Sequence, residues 1–334
     1  MRQGLVGLSI ATLAVACGGE SGGNADDTTN QSATAAATGG GATGGGSGGA
    51  TSSSSQETSN VGTDGSNTAS TTGAPIGDCS GPFGEPVELF TAELTAPQSF
   101  ALTPDELELY YVDYPDQVRR VHRRVRSSRT SSFGPPEAVP ELVDLCPSVS
   151  AELVVGTIDL SPDGLVAYIA CEETVELPTT LVTATRSALG APFVPDTAPL
   201  GTVGASFATA DGLEAFANTP TGLDMLDRHR RDSLTVPFGQ AERLPIQLRG
   251  PDPSNDGLWL FGSLPVAGTD PVQYHLAATV RTDRSAPFGE PTLEGFPSPP
   301  AGFSDFTPTI SADCRSLYFL RYGASPFSVM VSRR

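Results

Sequence analysis

Few residues in this sequence have the types and spacing that catalysis or metal binding requires. The three histidines, His122, His229 and His275, are far apart in the chain and show no metal-ligand spacing. The segment GASFA at 204–208 departs at its last position from the G-x-S-x-G turn that exposes a serine nucleophile, so we interpret Ser206 as structural. We therefore predict no catalytic residue, no metal site and no cofactor.

A cluster of arginines is the strongest local charge feature. Arginine and valine are interleaved through 118–126, and the cluster includes Arg119, Arg120, Arg123 and Arg124. These four cations form a candidate patch for an anionic polysaccharide, a lipid head group or an acidic protein. The alternative, which we favour, is a solvated strand whose cations neutralise acidic residues of neighbouring loops.

The overall charge excludes some classes of partner. The chain has 334 residues, a formal charge of −19 and no lysine, so arginine supplies its side-chain cations. The field of such an acidic protein repels phosphate, which argues against nucleic-acid binding and against direct binding to an anionic membrane surface.

Residues 1–17 have the pattern of an export signal. Arg2 precedes an apolar stretch of 11 residues, Leu5 to Val15, which is shorter than the roughly 20 residues that span a bilayer. Ala14-Val15-Ala16-Cys17 resembles the bacterial lipobox, and the resemblance implies diacylglyceryl attachment to the Cys17 thiol. Because Gly18 follows Cys17, where Asp would indicate inner-membrane retention, we expect a lipid anchor in the outer membrane. An ordinary secretory signal is the alternative.

Residues 18–77 are nearly all Gly, Ser, Thr, Ala, Asn and Asp. Such a segment has no apolar side chains to bury and cannot offset the entropy of its own chain. We therefore predict a disordered linker of 60 residues, whose function is to hold a folded domain away from the lipid.

From residue 78 to residue 334, short β-branched and aromatic runs alternate with Pro and Gly turns, which indicates an all-β domain. Two landmarks recur at intervals of about 45 to 60 residues, a spacing typical of propeller blades. The first is an aspartate at a turn: Asp105, Asp163, Asp211, Asp256 and Asp313. The second is a phenylalanine, usually in Pro-Phe-Gly: Phe83, Phe133, Phe193, Phe238 and Phe288. In four copies an arginine lies seven residues before the phenylalanine: Arg126, Arg186, Arg231 and Arg281.

The turn Ser161-Pro162-Asp163-Gly164, with the apolar run 165–171 after it, resembles the repeat of WD-repeat-like, TolB-type β-propellers. The resemblance covers residues 80–334 and implies blades of four antiparallel strands, lettered A to D from the axis outward. Glu106 and Cys314 replace the glycine of the turn in the first and last copies, which leaves the type of those two turns open.

The repeat begins and ends out of phase. It opens with a strand D near 80–90 and closes with a strand C near 329–334. We therefore predict a five-bladed β-propeller in which one blade takes strands from both ends of the domain. Such a ring leaves no sheet edge open to aggregation.

The cysteines fit this predicted propeller. Cys146 and Cys171 fall on one face of one blade, while Cys79 and Cys314 fall on the opposite face of the closing blade. We therefore favour the disulfides Cys146–Cys171 and Cys79–Cys314, in an oxidising compartment. Free, buried thiols are the alternative.

Two functions from different classes follow. The first is a monomeric envelope lipoprotein whose propeller binds a protein or polysaccharide without catalysis and touches the membrane only through its lipid. The second is a carbohydrate-active enzyme with carboxylates at the axis. Three or more inner-strand carboxylates converging on the axis would favour the enzyme, and an apolar or filled axis would favour binding.

Overall fold

The structure is a computed structural model that describes residues 78–92, 99–113, 120–146, 154–172, 180–196, 206–219, 222–269, 272–323 and 327–334. The predicted signal at 1–17, the linker at 18–77 and two predicted site residues, Cys17 and Arg119, lie outside these residues. The helix in the described part is the short α1 (Pro140–Val143). No helix there is long and apolar enough to cross a membrane.

The strands form five antiparallel sheets, the blades of a β-propeller. The first blade contains β2 (Phe100–Leu102), β3 (Glu108–Asp113), β4 (Arg120–Val125) and β5 (Glu137–Ala138). The second contains β6 (Val154–Leu160), β7 (Val166–Glu172), β8 (Thr180–Thr185) and β9 (Val194–Asp196). The third contains β10 (Ser206–Ala208), β11 (Glu214–Thr219), β12 (Gly222–Arg230) and β13 (Glu242–Gln247). The fourth contains β14 (Arg249–Pro253), β15 (Trp259–Val266) and β16 (Gln273–Val280).

The closing blade combines both ends of the domain, as the phase of the repeat predicts. It contains β17 (Ser304–Ile310), β18 (Ser316–Tyr322), β19 (Phe327–Arg333) and, on the outside, β1 (Val87–Ala92). Val87 pairs with Val331, and Ala92 pairs with Phe327. The inner strands β2, β6, β10, β14 and β17 contact one another in sequence around the axis. The predicted five-bladed ring is confirmed.

The fourth blade has less outer structure than the other four. Its outer position holds a single bridge, between Ala278 and Thr292, instead of a strand. Directly after Thr292 the chain turns at 294–296, where Gly295 has φ of 87°. The fourth strand is therefore reduced to one residue pair.

The five A–B turns have the same conformation despite their different residues. In each, a Ser or Thr hydroxyl donates to the turn aspartate, as from Thr103 to Asp105 at 2.6 Å and from Ser311 to Asp313 at 2.7 Å. The next residue has φ between 58° and 69°, and it is glycine in three blades. Glu106 (φ 61°) and Cys314 (φ 58°) adopt the same conformation, although non-glycine residues rarely do. The turn type is therefore retained in the first and last copies.

The recurrent arginine joins each blade to its own turn and to its own phenylalanine. The Nε atom donates to the carbonyl of the positive-φ residue at 2.6 to 2.8 Å in four blades. The guanidinium carbon lies 4.5 to 4.7 Å from the centroid of the phenylalanine seven residues later. Hydrogen bonds also extend from these arginines to the preceding blade. Arg126 donates to Tyr318, Arg186 to Glu108 and Tyr110, and Arg281 to Glu214. We call these residues the inter-blade arginines.

Arg334 occupies the corresponding place in the closing blade, but its side chain donates to the Ser80 carbonyl instead of the turn. Its guanidinium carbon lies 3.9 Å from the centroid of Phe83. Its backbone N–H donates to the carbonyl of Arg315, as the backbone N–H of Arg126 donates to that of Leu107 in the first blade. The sequence analysis missed Arg334 because Phe83 precedes it by almost the whole domain.

Both predicted disulfides are present. Cys79 and Cys314 have a Cα–Cα distance of 5.0 Å, and Cys146 and Cys171 have one of 5.4 Å. The first bond joins the segment before β1 to the turn between β17 and β18, so it closes the ring covalently. The second joins the end of the first blade to β7 of the next.

Replacing Cys79 and Cys314 by Ser should lower the free energy of unfolding more than replacing Cys146 and Cys171 by Ser. The two bonds span 235 and 25 residues. In the chain-entropy model these spans correspond to about 5.5 and about 3.5 kcal/mol. Urea unfolding, followed by the fluorescence of the single tryptophan, Trp259, measures both losses. An equal or smaller loss for the first pair would contradict its role in closing the ring.

Candidate functional site

The two ends of the propeller carry different connections. The A–B turns and C–D connections lie at one end, which we call the turn face, and the B–C and D–A connections lie at the other, the loop face. Five similar turns occupy the turn face. Recognition residues in such rigid frames concentrate where the connections vary, so the loop face is the first place to search.

Three half-buried side chains form a cluster at the loop face, where the fourth blade meets the closing blade. The rings of Tyr274 and Phe306 have centroids 5.0 Å apart at an angle of 42°. The guanidinium carbon of Arg249 lies 5.1 Å from the first centroid and 5.7 Å from the second. We call Arg249, Tyr274 and Phe306 the aromatic platform. The backbone supports it, because the N–H of Tyr274 donates to the Ser304 hydroxyl at 3.0 Å.

Further aromatic and charged groups flank the platform on the closing blade. Tyr322 and Phe327 stack with centroids 4.8 Å apart, and Tyr322 is 44% exposed. Arg321 donates to both oxygens of Asp305 at 2.8 Å. Burial raises the pKa of Asp305, and Arg321 opposes this rise. Exposed ring faces beside a few fixed polar groups are typical of ligand sites.

Two buried carboxylates lie on the inner strands near the axis. Asp159 on β6 accepts hydrogen bonds from the N–H groups of Leu160 at 2.8 Å and Ala208 at 3.0 Å. Asp252 on β14 accepts one from the N–H of Ile310 at 2.5 Å. Burial raises the pKa of Asp159 to about 7. Burial and then the negative charge of Asp159 raise the pKa of Asp252 well above its ordinary value.

These two carboxylates do not meet the criterion for an enzyme stated above. Each lies four residues before its turn aspartate, where the other blades carry Ala101, Phe207 and Thr309. A third inner-strand carboxylate, Asp305, is bound by Arg321 of its own blade. In the described part of the chain, no group of three or more His, Cys, Asp or Glu side chains is placed to hold a metal ion.

The predicted arginine patch is divided between the two faces of the first blade. Arg123 and Arg124 are neighbours on β4, so their side chains point to opposite faces. Arg123 binds Glu137 at 2.7 Å, while Arg124 lies over Phe90 and donates to the Gly134 carbonyl at 2.8 Å. Arg120 is exposed and pairs in register with Asp113. Anion binding by this stretch stays a prediction.

A cleft of about 230 Å³ separates the first and second blades, beside Arg123. Tyr110, Glu141 and Phe193 also line it. Small-molecule sites have volumes of roughly 300 to 1,000 Å³, so this cleft is small for a ligand site. The acidic Glu141 also weakens any preference for anions.

The histidines occupy three different blades. His122 on β4 stacks on Tyr111 with centroids 5.4 Å apart, and burial lowers its pKa. His229 is buried on β12, with Nδ1 3.2 Å from the Gly239 carbonyl oxygen. His275 lies on β16, and Ser206 begins the inner strand β10. These four positions are on separate strands, as the sequence indicates.

The sequence analysis missed the aromatic platform and the axial carboxylates. Arg249 and Phe306 both lie seven residues before a turn aspartate, in two successive copies, but their residue types differ and Tyr274 lies on another strand, so the fold alone shows that they meet. Asp159 and Asp252 had a signal in the sequence, because they place a charge where other copies carry Ala, Phe or Thr.

Comparisons with known proteins support the fold and do not extend to activity. No protein-family model and no curated protein matches the chain. An arabinanase from Bacillus subtilis matches 74% of this chain and 96% of its own, at 10% identity and a TM-score of 0.52. A GH43_1 enzyme from Xanthomonas citri matches 74% of this chain and 90% of its own, at 13% identity and a TM-score of 0.52. A putative TolB from Agrobacterium tumefaciens matches 73% of this chain and 78% of its own, at 16% identity and a TM-score of 0.42.

The free energy of unfolding should fall between pH 5 and pH 7 in chelator-treated buffer. The raised pKa of Asp159, about 7, and that of Asp252 mean that the folded state keeps protons that the unfolded state has released. This contribution is complete below the unfolded value of 3.8 and is lost as the pH rises through about 7. The slope is at most about 1.4 kcal/mol per pH unit for each carboxyl.

Comparing Asp252→Asn with the parent protein isolates this effect. The lowered pKa of His122 acts in the opposite direction over the same pH range, but it is common to both proteins. Urea unfolding at several pH values between 5 and 7 measures the fall in the free energy of unfolding. That fall should be smaller for Asp252→Asn than for the parent protein. Asp227→Asn, which removes a carboxylate that pairs with Arg243, should behave like the parent. Equal losses for all three proteins would contradict the assignment.

Proposed function

We propose that this protein is an outer-membrane lipoprotein of the bacterial cell envelope and that its propeller binds an envelope polysaccharide without catalysis. The aromatic platform is the observation that carries this proposal. It offers two half-buried aromatic rings and a fixed cation at the more variable face of a rigid ring. Aromatic faces contact the apolar faces of sugar rings, and the guanidinium binds acidic or hydroxyl groups on them. A protein ligand is the alternative occupant.

The predicted location agrees with the disulfides. Two disulfide bonds indicate a compartment outside the reducing cytoplasm, so the domain is an exported one. The lipid anchor on Cys17 and the disordered linker 18–77 are further parts of the proposal, and they rest on the sequence. The domain would then face either the periplasm or the cell surface.

A second candidate is hydrolysis of a glycosidic bond at the axis. The raised pKa of Asp159 beside Asp252 favours it, because glycosidases pair a protonated carboxyl with an ionised one. Both oxygens of Asp159, however, accept backbone N–H groups. The third inner-strand carboxylate of the described residues, Asp305, is already paired with Arg321. We therefore rank hydrolysis second.

Replacing Tyr274 by Ala should weaken polysaccharide binding about tenfold, since loss of one central aromatic contact costs about 1 to 2 kcal/mol. The full-length protein in detergent is titrated onto immobilised peptidoglycan fragments and onto neutral and acidic envelope polysaccharides. Leu234→Ala is the matched control, because Leu234 is 59% exposed and follows Arg231 at the turn face.

The same samples test the two candidates against each other. Chromatography of the polysaccharide after prolonged incubation should reveal no released sugar. Sugar release that Asp252→Asn abolishes would establish the enzyme in place of the binding module. Equal binding by the Tyr274→Ala and Leu234→Ala variants would remove the platform from the recognition site.

Replacing Cys17 by Ser should abolish lipid attachment and release the protein from membranes. The anchor depends on the Cys17 thiol, and no other segment predicted here attaches the chain to lipid. Metabolic labelling with a palmitate analogue, followed by membrane fractionation, measures both effects. Cys146→Ser is the control, because it removes a cysteine of the folded domain that is bonded to Cys171 and leaves Cys17 intact. Unchanged labelling of the Cys17→Ser variant would refute the lipobox.

A further inference from the structure

Arg249 is the cation of the aromatic platform, and its hydrogen-bond donors are free. Its guanidinium carbon lies over the rings of Tyr274 and Phe306, at 5.1 and 5.7 Å from their centroids. Within the described part of the chain its N–H groups have no acceptor. Every other buried or half-buried arginine described there donates to an oxygen atom. The donors of this one cation therefore have no use within the described fold.

The two rings hold the guanidinium in place without consuming its donors. A cation–π contact forms between the charge and the ring and needs no oxygen acceptor. The inter-blade arginines also lie over a ring, but each of them donates from Nε to a turn carbonyl. Arg249 keeps the ring contacts and lacks the carbonyl. A positioned cation with free donors loses little conformational freedom when it binds a ligand.

Two hydroxyl groups next to the platform also lack partners. Ser263 on β15 pairs in register with Arg249, so the two side chains lie on the same face of the sheet. Ser263 is 0% exposed, and its Oγ atom has no hydrogen-bond partner among the described residues. The same holds for Oγ1 of Thr307, which follows Phe306 and has φ of 43°, a rare value for a β-branched residue. Strained backbone and unpaired polar atoms indicate a functional site.

The acidic residues nearest to the platform in the described sequence are bound elsewhere. Asp305, which precedes Phe306, is 0% exposed, and Arg321 donates to both of its oxygens at 2.8 Å. Asp252, three residues after Arg249, accepts the N–H of Ile310. Neither carboxylate pairs with Arg249, so its positive charge is left for a ligand.

We propose that the platform selects polysaccharides that carry carboxylates, with Arg249 binding the carboxylate of a uronic acid residue and Tyr274 contacting its sugar ring. This inference rests on the proposed function and narrows its ligand to an acidic polysaccharide. A flat guanidinium donates two parallel hydrogen bonds to a carboxylate. In a uronic acid the carboxylate is attached directly to the sugar ring, so a single residue of the polysaccharide meets the guanidinium and the adjacent aromatic ring together.

Calorimetric titration of the full-length protein in detergent with short oligosaccharides tests this selectivity. Oligomers of galacturonate, mannuronate and glucuronate are each compared with their carboxyl-reduced forms, which keep the sugar ring and lack the charge. We expect one of the acidic oligomers to bind about tenfold to a hundredfold more tightly than its reduced form, the range for hydrogen bonds to a charged group.

The outcomes separate this inference from the proposed function. Equal binding of the acidic and reduced forms, or binding of neutral polysaccharides alone, would overturn the carboxylate and leave the polysaccharide-binding module in place. Tighter binding of a sulfated neutral oligosaccharide than of every uronate would do the same. Absence of binding to all acidic and neutral saccharides would overturn the proposed function together with this inference.

Three variants assign the carboxylate to the platform. Arg249→Gln removes the charge and should weaken binding of the acidic form about tenfold or more, while binding of the reduced form stays unchanged. Tyr274→Ala should weaken both forms by a similar factor, because it removes the contact with the sugar ring. Arg315→Gln is the matched control, since Arg315 is exposed in the A–B turn of the closing blade, at the turn face. Equal affinities of Arg249→Gln and Arg315→Gln for the acidic form would refute the assignment.

Arg249→Lys keeps the test decisive if Arg249→Gln disturbs the fold, which the melting temperature of each variant reveals. Lysine keeps the charge and the attraction to the rings, but it lacks the flat pair of donors that matches a carboxylate. Its affinity for the acidic form should lie between those of the parent and of Arg249→Gln. An affinity equal to that of the parent would overturn recognition by two parallel hydrogen bonds.

Discussion

The fold depends on one interaction that is made in four blades, the burial of an arginine between the turn and the phenylalanine of its own blade. In the closing blade Arg334 keeps the contact with its phenylalanine, Phe83. Only arginine has a flat group with five donors, so a single side chain can lie on a ring, bind a carbonyl and still reach the preceding blade. The spacing of seven residues between arginine and phenylalanine follows from this geometry. Lysine, with one compact ammonium group, could not satisfy the three partners together, and the chain contains none.

The two unusual turns keep their shape through different contacts. Arg126 needs the Glu106 carbonyl at a fixed place, so Glu106 adopts positive φ although it is not glycine. The turn at Cys314 is held by the bond from Ser311 to Asp313. The strained residue is then used for a second purpose. Glu106 accepts a hydrogen bond from Tyr318 of the closing blade and pairs with Arg126 of its own blade, and Cys314 forms the disulfide to Cys79. In both, the cost of the conformation is offset by a bond that closes the ring.

The sequence predicts those features that depend on local spacing and on the order of strands. The five blades, the closure through β1 and both disulfides follow from the phase of the repeat. Arg334 could not be recognised in the same way, because its phenylalanine, Phe83, lies at the other end of the domain. The aromatic platform was also out of reach, since Arg249, Tyr274 and Phe306 meet only after three strands from two blades have their register.

In a repeat fold, residues that recur in every copy hold the frame, and residues that break the repeat are free for other roles. Asp159 and Asp252 break it with charges, and the aromatic platform breaks it with side chains found in no other copy. The two features share their supporting backbone. On β14 the register shifts between Arg249 and Asp252, and on β17 it shifts between Phe306 and Thr309. Each bulge therefore has a platform residue before it and Asp252 or Thr309 after it, so the same two irregularities shape the platform at the loop face and the contacts between inner strands at the axis.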